Sequence, residues 1–154
     1  MELSFDPGLT ATGWCLWKNG EVEDIGTIRP KGDTMIHKLG YLGNQVEVLF
    51  SHKKFSITRV AVEQFQGFYG DQAKSTMKSM MIVSCVQGML LGLMYAPYRE
   101  IMLVSKGRVS KDATRVRAEY RGLFERYKKI SKDALDAFEI GIAAGFDKHQ
   151  RGNE

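Results

Sequence analysis

Cysteine is scarce. Cys15 and Cys85 are the two in a chain of 154 residues, and neither stands in a CxxC or Cys/His ligand spacing. That argues against a zinc centre and against a disulfide framework, and it fits a reducing, cytoplasmic compartment. The three histidines, His37, His52 and His149, show no catalytic spacing, so no role falls to them. The first residues lack the basic start and long apolar core of a signal peptide, and secretion is not expected. No internal repeat, low-complexity tract or linker divides the sequence, which is read as a single domain over residues 1–154, long enough to bury a real core. Charge is missing from residues 79–98, where Gly88 and Gly92 stand at GxxxG spacing. A membrane span is the competing explanation for such a stretch. Ser79, Ser84, Gln87 and Pro97 interrupt it, and a strand-like segment follows at once, so no membrane partner is expected. The stretch is read instead as a helix buried on several sides, one face on a sheet and the other available to a second subunit. Its methionines, Met77, Met80, Met81, Met89 and Met94, are adaptable packing.

What is present begins with charge. The 22 basic residues exceed the 18 acidic ones, for a net charge of +4, a modest bias towards an anionic partner. Hydrophobic periodicity then separates strands from helices. Leu3 and Phe5 open a strand that ends at Asp6 before Pro7-Gly8. Residues 13–18 and 22–28 form two more, joined by an Asn19-Gly20 hairpin turn. Ile36, Leu39, Leu42, Val46, Leu49 and Phe50 recur at helical spacing. Residues 57–63 are a buried strand whose continuous Val60-Ala61-Val62 suits a central, parallel position. The long helix follows, then a strand over residues 101–104, a helix from about Ser110 to Tyr120, and a last helix capped by Ser131. The tail from Asp147 onward is polar and expected to fray. This order specifies an α/β protein with a mixed five-stranded sheet, three antiparallel strands and then two parallel ones, flanked by helices.

Four carboxylates stand at chemically telling points. Asp6 and Glu63 end two strands that, if parallel neighbours, aim both into one cleft. Asp133 and Asp136 lie at i and i+3 on the last helix, one turn apart on one face. Alone, Asp133 is a first-turn carboxylate favoured by the helix dipole, and Asp6 before Pro-Gly is equally a turn residue. Glu63, at the exit of an apolar strand, needs a metal or an arginine as partner. Together, four acids from three elements suit hard divalent cations held against a phosphate backbone. Glu139, three residues further along, is read as a solvated or supporting charge.

Three motifs in order, Phe5-Asp6-Pro7-Gly8-Leu9-Thr10-Ala11-Thr12-Gly13-Trp14, Val60-Ala61-Val62-Glu63-Gln64 and Asp133-Ala134-Leu135-Asp136-Ala137, resemble the RuvC family of Holliday junction resolvases over essentially the whole chain. The resemblance implies an RNase H-like fold and a homodimer formed through the long helix between about Met77 and Met94. It implies paired symmetric nicks in a four-way DNA junction, in recombination and repair. It also assigns Asp6, Glu63, Asp133 and Asp136 as catalytic ligands of two Mg²⁺ or Mn²⁺ ions per active site, with 5′-phosphate and 3′-hydroxyl products.

The residues after Glu63 depart from the cellular pattern. They place Phe65, Phe68 and Tyr69 between glycines, where rings can stack on unpaired bases or pack inward. A broader nuclease of replication forks and other branches, as in compact phage-type members, is therefore the alternative activity, and a non-catalytic branch-binding module the rival from another class. Lys106 and Lys111 are candidate phosphate contacts within a basic run that includes Arg108, Arg115, Arg117, Arg121 and Arg126. Asp6-x-Gly8-x-Thr10 also fits the phosphate loop of actin-like ATPases, but those proteins need two such domains around a nucleotide.

Overall fold

Alternation along the first three strands decides which side chains face which layer. The computed structural model describes residues 1–64, 73–105 and 111–148. In β1 (Glu2–Asp6), Leu3 and Phe5 turn to one face of the sheet and Ser4 to the other. β2 (Thr12–Lys18) and β3 (Glu21–Ile28) continue the antiparallel meander. Their hairpin turns at Asn19 (φ 54°) and Gly20 (φ 79°), two consecutive left-handed residues that match the twist of paired strands. β4 (Arg59–Glu63) pairs parallel with β1 on one side and with β5 (Glu100–Val104) on the other, giving the order β3-β2-β1-β4-β5. The mixed sheet expected from the sequence is the one found.

One face is covered by α1 (Met35–Phe50) and α2 (Ala73–Met94), whose Leu42, Val46, Phe50, Val86, Leu90 and Met94 join Leu3, Phe5, Trp14, Val60 and Val62 in one core. Thr34 caps α1 by accepting the His37 amide. The buried stripe of α1 follows the i+4 row through 42, 46 and 50, which leaves Ile36 and Leu49, expected in that stripe, on its exposed flank. No helix among the described residues is long and apolar enough to cross a membrane.

The opposite face carries α5 (Lys132–Ala143), with α3 (Lys111–Tyr120) and the short α4 (Leu123–Arg126) beside it. Trp17 stacks on Phe138 at 5.5 Å between ring centroids. This is possible because Gly141 leaves room: a Cβ there would overlap the Trp17 indole.

One expectation is corrected on this face. Asp147, the first residue of the tail expected to fray, is fully buried and forms an ion pair with Arg121, and the Lys148 amide donates to the Gly20 carbonyl, while residues 149–154 of that tail lie outside the described residues. Three arginines of the basic run are likewise engaged in holding the fold. Arg117 pairs with Glu139 at 2.9 Å, Arg121 with Asp147, and Arg126 donates to the Val22 carbonyl at 2.8 Å. The last contact, with the Tyr127 hydroxyl on the Glu23 carbonyl, covers part of the open edge of β3.

Cys15 is buried, and burial pushes its thiol well above the usual range, reinforced by Asp24 and partly offset by Arg126. A protonated, enclosed thiol is unreactive. In a Cys85→Ser variant the remaining thiol is therefore expected to resist a water-soluble disulfide reagent at mildly alkaline pH until denaturant is added. Rapid labelling of the native variant would contradict this core.

Candidate active site

The period of two places Asp6 on the same face as Ser4, and Glu63 on the same face as Ala61, which is the face that α5 covers. Phe5 is registered with Val62, so the two acids emerge side by side at the C-terminal ends of parallel neighbours. Asp6 is in turn opposite Gly13 on β2, and Gly13 is opposite Thr27 on β3. One row across the end of the sheet thus reads Thr27, Gly13, Asp6, with Glu63 beside it.

The last helix is fixed over this row at three points. The Ser131 hydroxyl bonds that of Thr27 and caps α5 by accepting the Ala134 amide at 3.1 Å. The backbone of Asp133 lies directly on Gly13, where a Cβ would overlap the Asp133 carbonyl oxygen and come within 2.9 Å of the Ala134 nitrogen. Further along, the Ser4 hydroxyl donates to the Ala137 carbonyl at 2.7 Å and accepts from the Trp17 indole at 3.1 Å. From Ala137 back to Asp133 a helix rises about 6 Å, and from Ser4 to Asp6 a strand advances about 6.6 Å. The two rises match, so α5 runs antiparallel to β1 with Asp133 level with Asp6. Small residues at 134, 137 and 141 permit this closeness.

All four predicted carboxylates therefore belong to one end of one face. Two of the side chains are paired with cations. Asp133, 28 % exposed, lies 3.8 Å from Arg29, and Asp136, 18 % exposed, lies 3.5 Å from Lys132. Among the described residues no three His, Cys, Asp or Glu side chains are grouped closely enough to hold a metal ion. The fold supplies the positions, and the donor set, oxygen alone, is chemically suited to Mg²⁺ or Mn²⁺. Lys111 opens α3 on the same face. Phe65, Phe68, Tyr69 and Lys106 lie outside the described residues.

Of the two readings of Glu139, solvated or supporting, burial removes the solvated one, since the residue is 2 % exposed. One of its oxygens takes the Arg117 guanidinium and the other has no hydrogen-bond partner. A run of Ala, Phe and Ile around it was the available signal for burial. The cation beside Asp136 was visible as an i, i+4 pair, whereas Arg29 beside Asp133 was not, since it arrives from another element.

No protein-family model matches the chain, and no curated protein sequence matches it. Solved structures do. RuvC of Thermus thermophilus in complex with a Holliday junction substrate aligns with 98 % of this chain and 95 % of its own, at a TM-score of 0.73 and 15 % identity. The fold is that of RuvC. The RuvC-like architecture extends to the Fowlpox virus resolvase in complex with substrate Holliday junction DNA, at TM-score 0.59 and 13 % identity over 94 % of this chain and 97 % of that one. It extends also to the yeast mitochondrial Holliday junction resolvase Ydc2, at TM-score 0.56 and 16 % identity over 94 % and 78 %.

Gly13→Ala tests the seating of α5 in this RuvC-like fold. Overpacking of backbone against backbone should lower unfolding free energy by about 1–3 kcal/mol. A chemical denaturation midpoint equal to that of the parent would contradict the close approach.

Proposed function

We infer that this chain is a metal-dependent endonuclease that resolves Holliday junctions by paired nicks. The observation that carries this reading is the convergence of Asp6, Glu63, Asp133 and Asp136 at one end of one face in a RuvC-like fold. The structures with that fold named above are Holliday junction resolvases, two of them in complex with junction DNA.

The chemistry follows from the donor positions. Asp6, central in the row, would hold the metal together with Glu63 on one side and Asp133 and Asp136 on the other. Two Mg²⁺ or Mn²⁺ ions, when bound, would supply the Lewis acidity for in-line displacement at a phosphodiester. Asp133 and Asp136 would exchange their half-exposed cationic partners for this role. Arg29 and Lys132 would then be released beside the scissile strand, where they can neutralise phosphate charge.

The second active site comes from a second copy of the chain. α2 buries Val86, Leu90 and Met94 against the sheet and presents Met81, Cys85, Gly88 and Gly92 outward. A Cβ at Gly88 or Gly92 would meet nothing within 4 Å in the protomer. Such a flat, uncharged face suits close packing of two helices around a two-fold axis, as symmetric nicking requires.

Asp6→Asn is expected to reduce junction cleavage below about one-hundredth of the parent rate while retaining junction binding in gel-shift titrations. Cleavage within twofold of the parent would remove Asp6 from the site. For the dimer, Gly88→Leu and Gly92→Leu should each raise protomer stability, leucine being the better helix former by about 0.5–1 kcal/mol. The same changes should convert a dimer to a monomer by sedimentation. A dimer that survives both places the second subunit elsewhere.

A further inference from the structure

A groove of about 430 Å³ lies between β3 and the segment leading into α5, walled by Ile25 and Thr27 on one side and Lys129, Ile130 and Ser131 on the other. Among the described residues no acidic side chain lines it. The Thr27 and Ser131 hydroxyls bond each other, and Ser131 also accepts the Ala134 amide, so the hydroxyl groups are committed to seating α5. Among the described residues Lys129 is the one charged group in the wall, and it is exposed. The nearest acid on β3, Asp24, is turned onto the Ile25 amide at 2.9 Å. Between the groove and the carboxylates stand Arg29 and Lys132, 64 % and 67 % exposed, paired with Asp133 and Asp136. Arg126 is occupied by the Val22 and Glu23 carbonyls.

We propose that this groove binds a backbone phosphate of the nucleic-acid strand that lies across the carboxylates, with Lys129 as its contact. The position follows from the sheet. Thr27 and Asp6 occupy one row two strands apart, about 10 Å, a distance that one or two phosphate-to-phosphate steps of a nucleic-acid backbone cover. A strand with its scissile phosphate at Asp6 therefore reaches Lys129 with a phosphate one or two nucleotides away. The apolar wall of Ile25 and Ile130 accommodates sugar, and Arg29 and Lys132 continue the positive track between the two points. This inference rests on the nuclease reading of the carboxylate end.

The test compares parent, Lys129→Ala, Lys129→Arg and Lys18→Ala, the last an exposed lysine at the hairpin end of the sheet. Binding to a synthetic four-way junction is followed by anisotropy without divalent metal at several salt concentrations, and single-turnover cleavage with Mg²⁺. Lys129→Ala should weaken binding about tenfold, lower the slope of log affinity against log salt by about one, and leave the rate at saturating protein unchanged. Lys129→Arg should keep the parent slope, and Lys18→Ala should match the parent. If the parent cuts the junction while Lys129→Ala binds with the parent affinity and slope, the groove is overturned and the nuclease reading stands. A loss in the saturated rate with affinity intact also overturns it, since Lys129 would then act on chemistry. A parent that neither binds nor cuts overturns both.

Discussion

Everything chemical in this protein hangs on how closely α5 lies on the sheet. The helix can approach because Ala134, Ala137 and Gly141 present little volume and because Gly13 presents none. The contact is then fixed by Thr27 with Ser131 and by Ser4 with Ala137. A helix held at ordinary distance by larger side chains would carry Asp133 and Asp136 away from Asp6 and Glu63. Hydrophobic burial gives the attraction, about 1.5–3 kcal/mol for each large side chain such as Trp17 or Phe138, and backbone contact at glycine gives the register.

Two kinds of ion pair surround that contact, and they differ in purpose. Arg29 with Asp133 and Lys132 with Asp136 are partly exposed, a class of pair worth about 0–1 kcal/mol, and are readily exchanged. Arg121 with Asp147 and Arg117 with Glu139 involve buried carboxylates. Such pairs gain little over an apolar substitute, but losing one partner strands a buried charge at a cost of about 3–5 kcal/mol. The weak pairs lie at the candidate site. The buried ones tie α3 and the turn after it to α5 and to Asp147 just beyond it.

Much of this was legible in the sequence for local reasons. Alternation in β1 and β2, Asn19-Gly20, the unbroken Val60-Ala61-Val62 and the Ser131 cap each declare an element within a few residues. The order of those elements then leaves few sheet topologies. The four acids were legible as a set because three of their elements end or begin where they stand. What escaped depends on which residues meet across the chain. The burial of Asp147 depends on Arg121, 26 positions away, and the employment of Arg117 on Glu139, 22 positions away. Local composition at Asp147 showed only a polar tail. Side-chain partners escaped as well: backbone register brings the carboxylates to one end of the sheet, while Asp133 and Asp136 are paired with Arg29 and Lys132.

The decisive measurement is cleavage of an end-labelled synthetic four-way junction by the purified chain, with linear duplex as control, in Mg²⁺ and in EDTA. Symmetric nicks in opposing strands of the junction in Mg²⁺, absent in EDTA and absent from the duplex, are the predicted result. An intact junction in Mg²⁺ and Mn²⁺, or nicking that persists in EDTA, would contradict a carboxylate-held metal site at the end of this sheet.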